Sequence, residues 1–586
     1  MIEYRKIIQA LNANPIPLLI FLSSIFIFMS FAGTRLFLSD EGLILDQFYN
    51  LINGSLSIKI AKINTASGIF MLVGNNLYAA FSYSLLILTL PVYYILNSID
   101  QLKSINQIYG AHLFLLQLWA LIGGVLVYLL GKIRNQKQAA LLGVISYVIL
   151  IGMNLYYFVP IDFPKWGELL SIQFTNILLS SLLVLVVYYL FKGLFGNKIA
   201  IFASFFVIFA TPVSFYAITL KHHILAVFLT VLAFYFFYRY YENKQDKFIY
   251  LAYASAGFCV WTRILDGAAL LAALLIMDIL FLRRNVKHIV LISIVVLVSL
   301  IPFFIFNYLI LGSPFSVIET IPVTDKQVSL YQAKDFISLE ETPEKTRQIE
   351  LLNELGYIWS SSIRGDWVDI LRYTTFLRLI NTFGIFLVSP FLTAALAFSV
   401  YGIKRRIRLN MMDMLFLVYT VIFLAIYKNY IFALITDTPM GLEYRYLLIF
   451  YLILLYFAMR IEKLKGLIEN NLKTIAIAYC GILVAMVVYF IVKFPLPFMD
   501  IFYKVSLATS LLLLILLSIS ILFSDMKSAV LDKSMIFVVA LTLAEASFLL
   551  LFYYWVVSMT YIAPAQNHTI LPVIGDILKL MYQNII

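Results

Sequence analysis

The stretch IPLLIFLSSIFIFMSFAGT, residues 16–34, followed shortly by Ser39-Asp40-Glu41-Gly42, decides the fold class. An uninterrupted apolar run of this length has the dimensions of a membrane-spanning helix. Arg5 and Lys6 precede it, so the positive-inside rule places its start in the cytoplasm and the acidic pair on the outer face. Two adjacent carboxylates at a membrane surface are candidates for chemistry. They are equally the residues that favour a helix N-terminus, and both readings stand at this point.

Working outward, the composition extends that reading to the whole chain. Of its 586 residues 63% are hydrophobic and 12% charged, with a mean hydropathy of +0.95, more apolar surface than a soluble globule can bury. Scanning for runs of ~20 apolar residues gives roughly 15 spans. They start near Ile16, His112, Gln138, Ser171, Lys198, Ile224, Phe248, Leu265, His288, Leu379, Met411, Tyr446, Lys473, Tyr503 and Met535. The basic clusters Lys132-Arg134-Lys137, Lys192-Lys198, Lys244-Lys247, Arg283-Arg284-Lys287, Lys404-Arg405-Arg406-Arg408, Arg460-Lys463-Lys465 and Lys527-Lys533 then fall on the side of Arg5 and Lys6. The run Ser84–Leu96 would invert every later loop if it crossed, so it reads as an interfacial or re-entrant helix. Topology accounts for most of the net charge of +11, and no nucleic-acid partner is needed to explain it.

The fold class expected is therefore all-α, a polytopic transmembrane helical bundle with long outer loops over 35–111 and 312–373. Residues 451–586 read as additional C-terminal spans. A cleaved signal peptide is an alternative for the first run, although no A-x-A site follows. Cys259 and Cys480 both fall in expected spans, against disulfides or a cysteine metal site. The sequons Asn53-Gly54-Ser55 and Asn567-His568-Thr569 fall on the outer face. The loop over 312–373 carries Asp325, Glu340, Glu341, Arg364 and Asp366, suiting a lid.

Polar residues at a membrane boundary are costly and hence informative. Lys221, His222 and His223 stand together between two spans. Adjacent helical histidines point about 100° apart, so one of them rather than both would face a small ion or substrate; the alternative is snorkelling to water. Arg263 lies between two apolar runs, where a guanidinium fork suits a phosphate, but Asp266 three residues on could neutralise it in an ion pair. Arg445 enters a span between Tyr444 and Tyr446, as a second phosphate contact or an aromatic-belt arginine. Asp162, between Pro160 and Pro164, is free to face a cavity, with Glu168 close by. Asp278 and Glu545 fall inside spans, and Glu545 suits a hydrogen-bonded structural acid.

These residues in this order resemble the GT-C superfamily of polytopic glycosyltransferases. The segments concerned are the acidic pair, Tyr216 through Lys221-His222-His223, Thr262-Arg263, Asn307-Tyr308 through Phe315, and Gly441 through Leu447. The nearest likeness is to protein O-mannosyltransferases and lipid A aminoarabinose transferases, over about the first 450 residues, which the resemblance makes the catalytic region. It implies a polyprenyl-phosphate (dolichyl-phosphate-type) sugar as donor, and an acceptor on a protein, glycan or lipid. Asp40 falls at the family's catalytic acid, and either Asp162 or Glu168 at the second. Asp40 would act as base with Glu41 as helper, while Arg263, Arg445, Lys221, His222 and His223 would bind substrate. A divalent metal on Asp40, Glu41, Asp162 and His223 is an open alternative to the arginines. Two other classes also fit a charged membrane protein: a transporter or lipid flippase, and a non-catalytic subunit of a membrane assembly.

Overall fold

The computed structural model describes residues 15–36, 41–60, 70–73, 76–79, 81–102, 110–156, 158–282, 285–317, 349–350, 378–379, 382–437, 444–492, 498–523, 529–560 and 570–573. Asp40 and the loop residues Asp325, Glu340, Glu341, Arg364 and Asp366 lie outside that set.

The chain is an all-α helical bundle. Hydrocarbon offers backbone groups no partner, so an apolar chain satisfies them within helices. Among the described residues seven helices are long and apolar enough to cross a membrane: Ala111–Ile133, Phe163–Phe195, His223–Asn243, Ile264–Leu282, Glu462–Phe490, Ile501–Leu522 and Ala529–Leu551. Lys287–Ser299 and Ile301–Leu311 form an eighth crossing if their 44° bend belongs to one span. Pro302 sits at that bend, in the first turn of the second half, where its missing N–H does least harm. Five shorter apolar helices, including Ile16–Met29 and Met411–Tyr427, complete the set. Large apolar side chains such as Ile403, Val421 and Val492 stay exposed, as lipid-facing positions do.

The expected run at His288 is split by that 44° bend, and those at Ile16, Gln138, Lys198, Met411 and Tyr446 are apolar helices of 10–17 residues, shorter than a full span. Each remaining run coincides with one helix except the one at Leu379. There a short hairpin, Arg378–Leu379 against Thr382–Phe383, leads into a four-residue helix, a 3-10 turn over Pro390–Leu396, and Ala397–Arg405. Pro390 lacks the N–H that a continuous helix would use, so an apolar run of span length is broken there. Ser84–Gln101 is a helix with Pro91 inside and is not among the seven candidates. Between Ile52 and Ser84 lies an antiparallel hairpin pairing Phe70 with Ala79 and Val73 with Asn76.

Two acids inside the bundle are partnered. Tyr253 O–H donates to Asp278 Oδ2 (2.8 Å), and Thr509 O–H to Glu545 Oε2 (2.6 Å). The last helices lock onto the earlier ones through Tyr479 O–H to Ser547 Oγ (2.9 Å) and Ser547 O–H to Phe209 O (2.7 Å).

Phe163–Phe195 organises the site. At 33 residues it is about 50 Å long, well beyond a ~30 Å hydrocarbon core, so it can stand clear at one end. Pro164 starts it, and Gly196, with φ of +92°, ends it in a conformation that other residues rarely adopt.

Candidate active site

The site is assembled by two side chains one helical turn apart on Phe163–Phe195. Gln173 Oε1 accepts the N–H of Gly33, just past the first helix (3.2 Å). Asn176 donates to the carbonyls of Thr219 (2.8 Å) and Lys221 (3.0 Å). Positions i and i+3 share a helix face, so the chain after the first span and the Thr219–His223 turn are drawn to the same place.

Glu41 begins the Glu41–Ile52 helix and is fully buried. The N–H of Leu220 donates to its Oε1 (2.7 Å), so the carboxylate reaches across to the Lys221 turn. A charge-assisted hydrogen bond of this kind is among the stronger ones available. The adjoining Asp40 lies outside the described residues.

Lys221 is 1% exposed, with its ammonium 4.6 Å from the centre of the Phe81 ring. Phe81 is itself held from two sides: Gln47 Nε2 donates to its carbonyl (2.9 Å), and Ser82 O–H donates to Trp261 O (2.6 Å). Such a cation over an aromatic face is stabilised by the ring quadrupole.

The histidines correct the expectation that they diverge. Their rings stack at 5.3 Å with an interplanar angle of 21°. His222 is the N-cap of His223–Asn243, with φ −76° and ψ 3°, so helical spacing does not govern the pair. His223 meets the edge of Tyr446 at 5.4 Å.

Tyr446 leads to Arg263, whose guanidinium lies 4.4 Å above that ring. Arg263 occupies an extended corner, φ −151° and ψ 109°, between Asp246–Thr262 and Ile264–Ile276. The corner is tight because Gly267 lies against the backbone of Val260, where a Cβ would collide. Arg263 Nε pairs with Asp266 Oδ2 at 2.7 Å, and Nη2 donates to the Tyr427 hydroxyl (3.0 Å). Tyr427 O–H in turn donates to Asp266 Oδ1 (2.7 Å). The ion pair weighed in the sequence is therefore formed, with a tyrosine closing it into a ring.

The structure thus brings Glu41, Lys221, His222, His223 and Arg263 into one continuous set of contacts. Arg445 lies in the 3-10 turn Tyr444–Leu447 beside Tyr446; its side chain lies outside the described set. Asp162 stands apart as the exposed N-cap residue of Phe163–Phe195, whereas Glu168 is buried. Glu168 lies close enough to Tyr93 for its charge to bear on that phenol. Tyr93 is pushed up to about 12, first by burial and then by the Glu168 charge. Among the described residues no group of three His, Cys, Asp or Glu side chains is arranged to hold a metal ion, and Asp40 falls outside that search.

Sequence reading did not find Gln173, Asn176, Phe81 or Tyr427. Each is a common residue type in an apolar context, and its partner lies from dozens to well over a hundred positions away.

Residues 167–307 match the model of a family described as dolichyl-phosphate-mannose-protein mannosyltransferase. The matched stretch holds Glu168, Gln173, Asn176, Lys221, His222, His223, Arg263 and Asp266. No curated protein matches the chain. Among solved structures, ArnT from Cupriavidus metallidurans bound to undecaprenyl phosphate is similar at 12% identity and a TM-score of 0.44, covering 93% of this chain and 78% of that one. An Archaeoglobus fulgidus oligosaccharyltransferase in the apo form is 13% identical with a TM-score of 0.38, covering 91% of this chain and 56% of that one. The chain is a polytopic integral membrane protein. Through the matched segment it is similar to membrane glycosyltransferases of the GT-C type.

Proposed function

We propose that the protein moves a sugar from a polyprenyl-phosphate donor, of the dolichyl-phosphate type, to an acceptor hydroxyl on the outer face of the membrane. The observation that carries this reading is the convergence of a buried lysine, two histidines and an arginine beside Glu41, within a segment that matches a family described by a dolichyl-phosphate-sugar reaction. That arrangement suits an anionic leaving group next to a base.

In the reaction the acceptor oxygen attacks the anomeric carbon while the bond from that carbon to the phosphate oxygen breaks. The departing polyprenyl phosphate keeps the bonding electron pair, and the acceptor proton passes to the Asp40 carboxylate. A single displacement inverts the anomeric centre. Glu41 acts as a positioning residue, because its carboxylate fixes the backbone at Leu220 and hence the start of the Lys221–His223 turn. Lys221 and Arg263, assisted by Arg445, stabilise the charge that grows on the leaving phosphate. Asp266 and Tyr427 hold the Arg263 fork so that little reorganisation is needed on reaction. Glu168 is the second acid of the site in preference to Asp162, since it is buried while Asp162 is exposed.

The test is incubation of purified protein in lipid with a panel of radiolabelled polyprenyl-phosphate sugars, with and without chelator. Release or transfer of the sugar supports the reading, and loss with chelator would assign a metal requirement. A panel left wholly intact would sink it.

A further inference from the structure

Arg35 is 3% exposed and Gln173 1% exposed. Both hold the same glycine. The N–H of Gly33 donates to Gln173 Oε1 (3.2 Å), and the N–H of Arg35 donates to Gly33 O (2.9 Å). Arg35 Nε and Nη1 and Gln173 Nε2 are fully buried, and none has a hydrogen-bond partner among the described residues. All three atoms are donors; the one acceptor of the pair, Gln173 Oε1, is already occupied. Among the described residues the imbalance is therefore one-sided in hydrogen bonding and in charge, with a guanidinium and no counter-ion. Buried charges are ordinarily paired, and leaving one unpaired is strongly destabilising. The chemistry that would complete it has acceptors only, is anionic, and offers several oxygens to a guanidinium fork and an amide NH2. Asn176, one turn along the same helix, holds Lys221 O, so the pair borders the Lys221 turn.

We propose that Arg35 and Gln173 form a buried site for a phosphate-class oxyanion. The site deepens the glycosyl-transfer reading, and rests on it only for the source of the phosphate, a polyprenyl lipid.

The experiment uses the full-length protein in nanodiscs of zwitterionic lipid. Binding of inorganic phosphate and, separately, of a polyprenyl phosphate is followed by equilibrium binding of the labelled anion and by thermal unfolding. The variants are Arg35→Met, which removes the unpaired charge, and Gln173→Glu, which keeps the acceptor for Gly33 while supplying a counter-charge. The wild type is expected to bind and to unfold at a higher temperature with phosphate present. Both variants are expected to unfold above the anion-free wild type, and to lose affinity by about tenfold or more, the scale of one charge-assisted contact. A response to inorganic phosphate identifies a site that takes the free ion; a response confined to the lipid assigns it to the donor. Wild-type protein indifferent to both anions would overturn the site, as would variants that bind like wild type. Sugar transfer persisting in such variants would discard the site and keep the enzyme. Phosphate binding lost in both variants, in a protein that turns over no donor, would keep the site and discard the enzyme.

Discussion

Arg263 Nε lies 2.7 Å from Asp266 Oδ2, with the two side chains only 10% and 9% exposed. They stand three residues apart on opposite sides of a helix start, and Tyr427 bridges them from another helix. The pair fixes the Arg263 guanidinium of the site, so its integrity bears on stability and on chemistry together.

Breaking the pair from one side strands a buried charge. Asp266→Ala is expected to cost about 3–5 kcal/mol of stability, the range found for one-sided removal of a buried ion-pair partner. Asp266→Ala combined with Arg263→Met is expected to cost less than the sum of the single changes. Thermal unfolding of the three variants checks this, and strict additivity would deny the coupling.

Tyr427→Phe keeps the ring over its neighbours and removes the hydroxyl that Arg263 and Asp266 share. The expected loss is about 1–3 kcal/mol, from leaving buried polar atoms short of a partner. If sugar transfer needs an oriented Arg263, turnover should fall while the protein stays folded. Unchanged stability and turnover would show that the bridge is dispensable.

Gly267 and Gly466 make opposite predictions. A Cβ at Gly267 collides with the Val260 backbone, so Gly267→Ala is expected to destabilise by about 1–3 kcal/mol or more. Nothing lies within 4 Å of a Cβ at Gly466 in the Glu462–Val492 helix, so Gly466→Ala should stabilise by about 0.5–1 kcal/mol. Paired unfolding midpoints decide both.

The Tyr93 phenol predicts a pH dependence. Its folded value of about 12 lies above the ordinary 10.0, so the folded state holds the proton more tightly than the unfolded one. The resulting stabilisation is complete below pH 10 and is lost as the pH rises towards about 12. Tyr93→Phe should flatten that part of the stability profile. An unfolding midpoint that falls equally in both proteins over the interval would assign the loss elsewhere.

Much of the bundle was legible because a bilayer leaves an apolar chain few options. The runs starting near Ile16, His112 and Ile224 became helices for that reason. The run at Leu379 was not, since composition counted its length and one proline set its outcome. In the site, Glu41, Lys221, His222, His223 and Arg263 stood out as polar residues at apolar boundaries. Their partners did not: Tyr427 lies 164 residues from Arg263, and no periodicity marks a tyrosine in an aromatic-rich helix as the one that closes an ion pair. The stacking of His222 on His223 was equally invisible, because it depends on where the helix begins.

The most direct test of the account is sugar transfer from a polyprenyl-phosphate donor by the purified protein in lipid, with the anomeric configuration of the product determined and Asp40→Asn run alongside. The account predicts an inverted product and a rate lowered by about 10²–10⁴-fold in the variant, the usual worth of a general base. A retained configuration, or an Asp40→Asn protein that transfers at close to the wild-type rate, would contradict it.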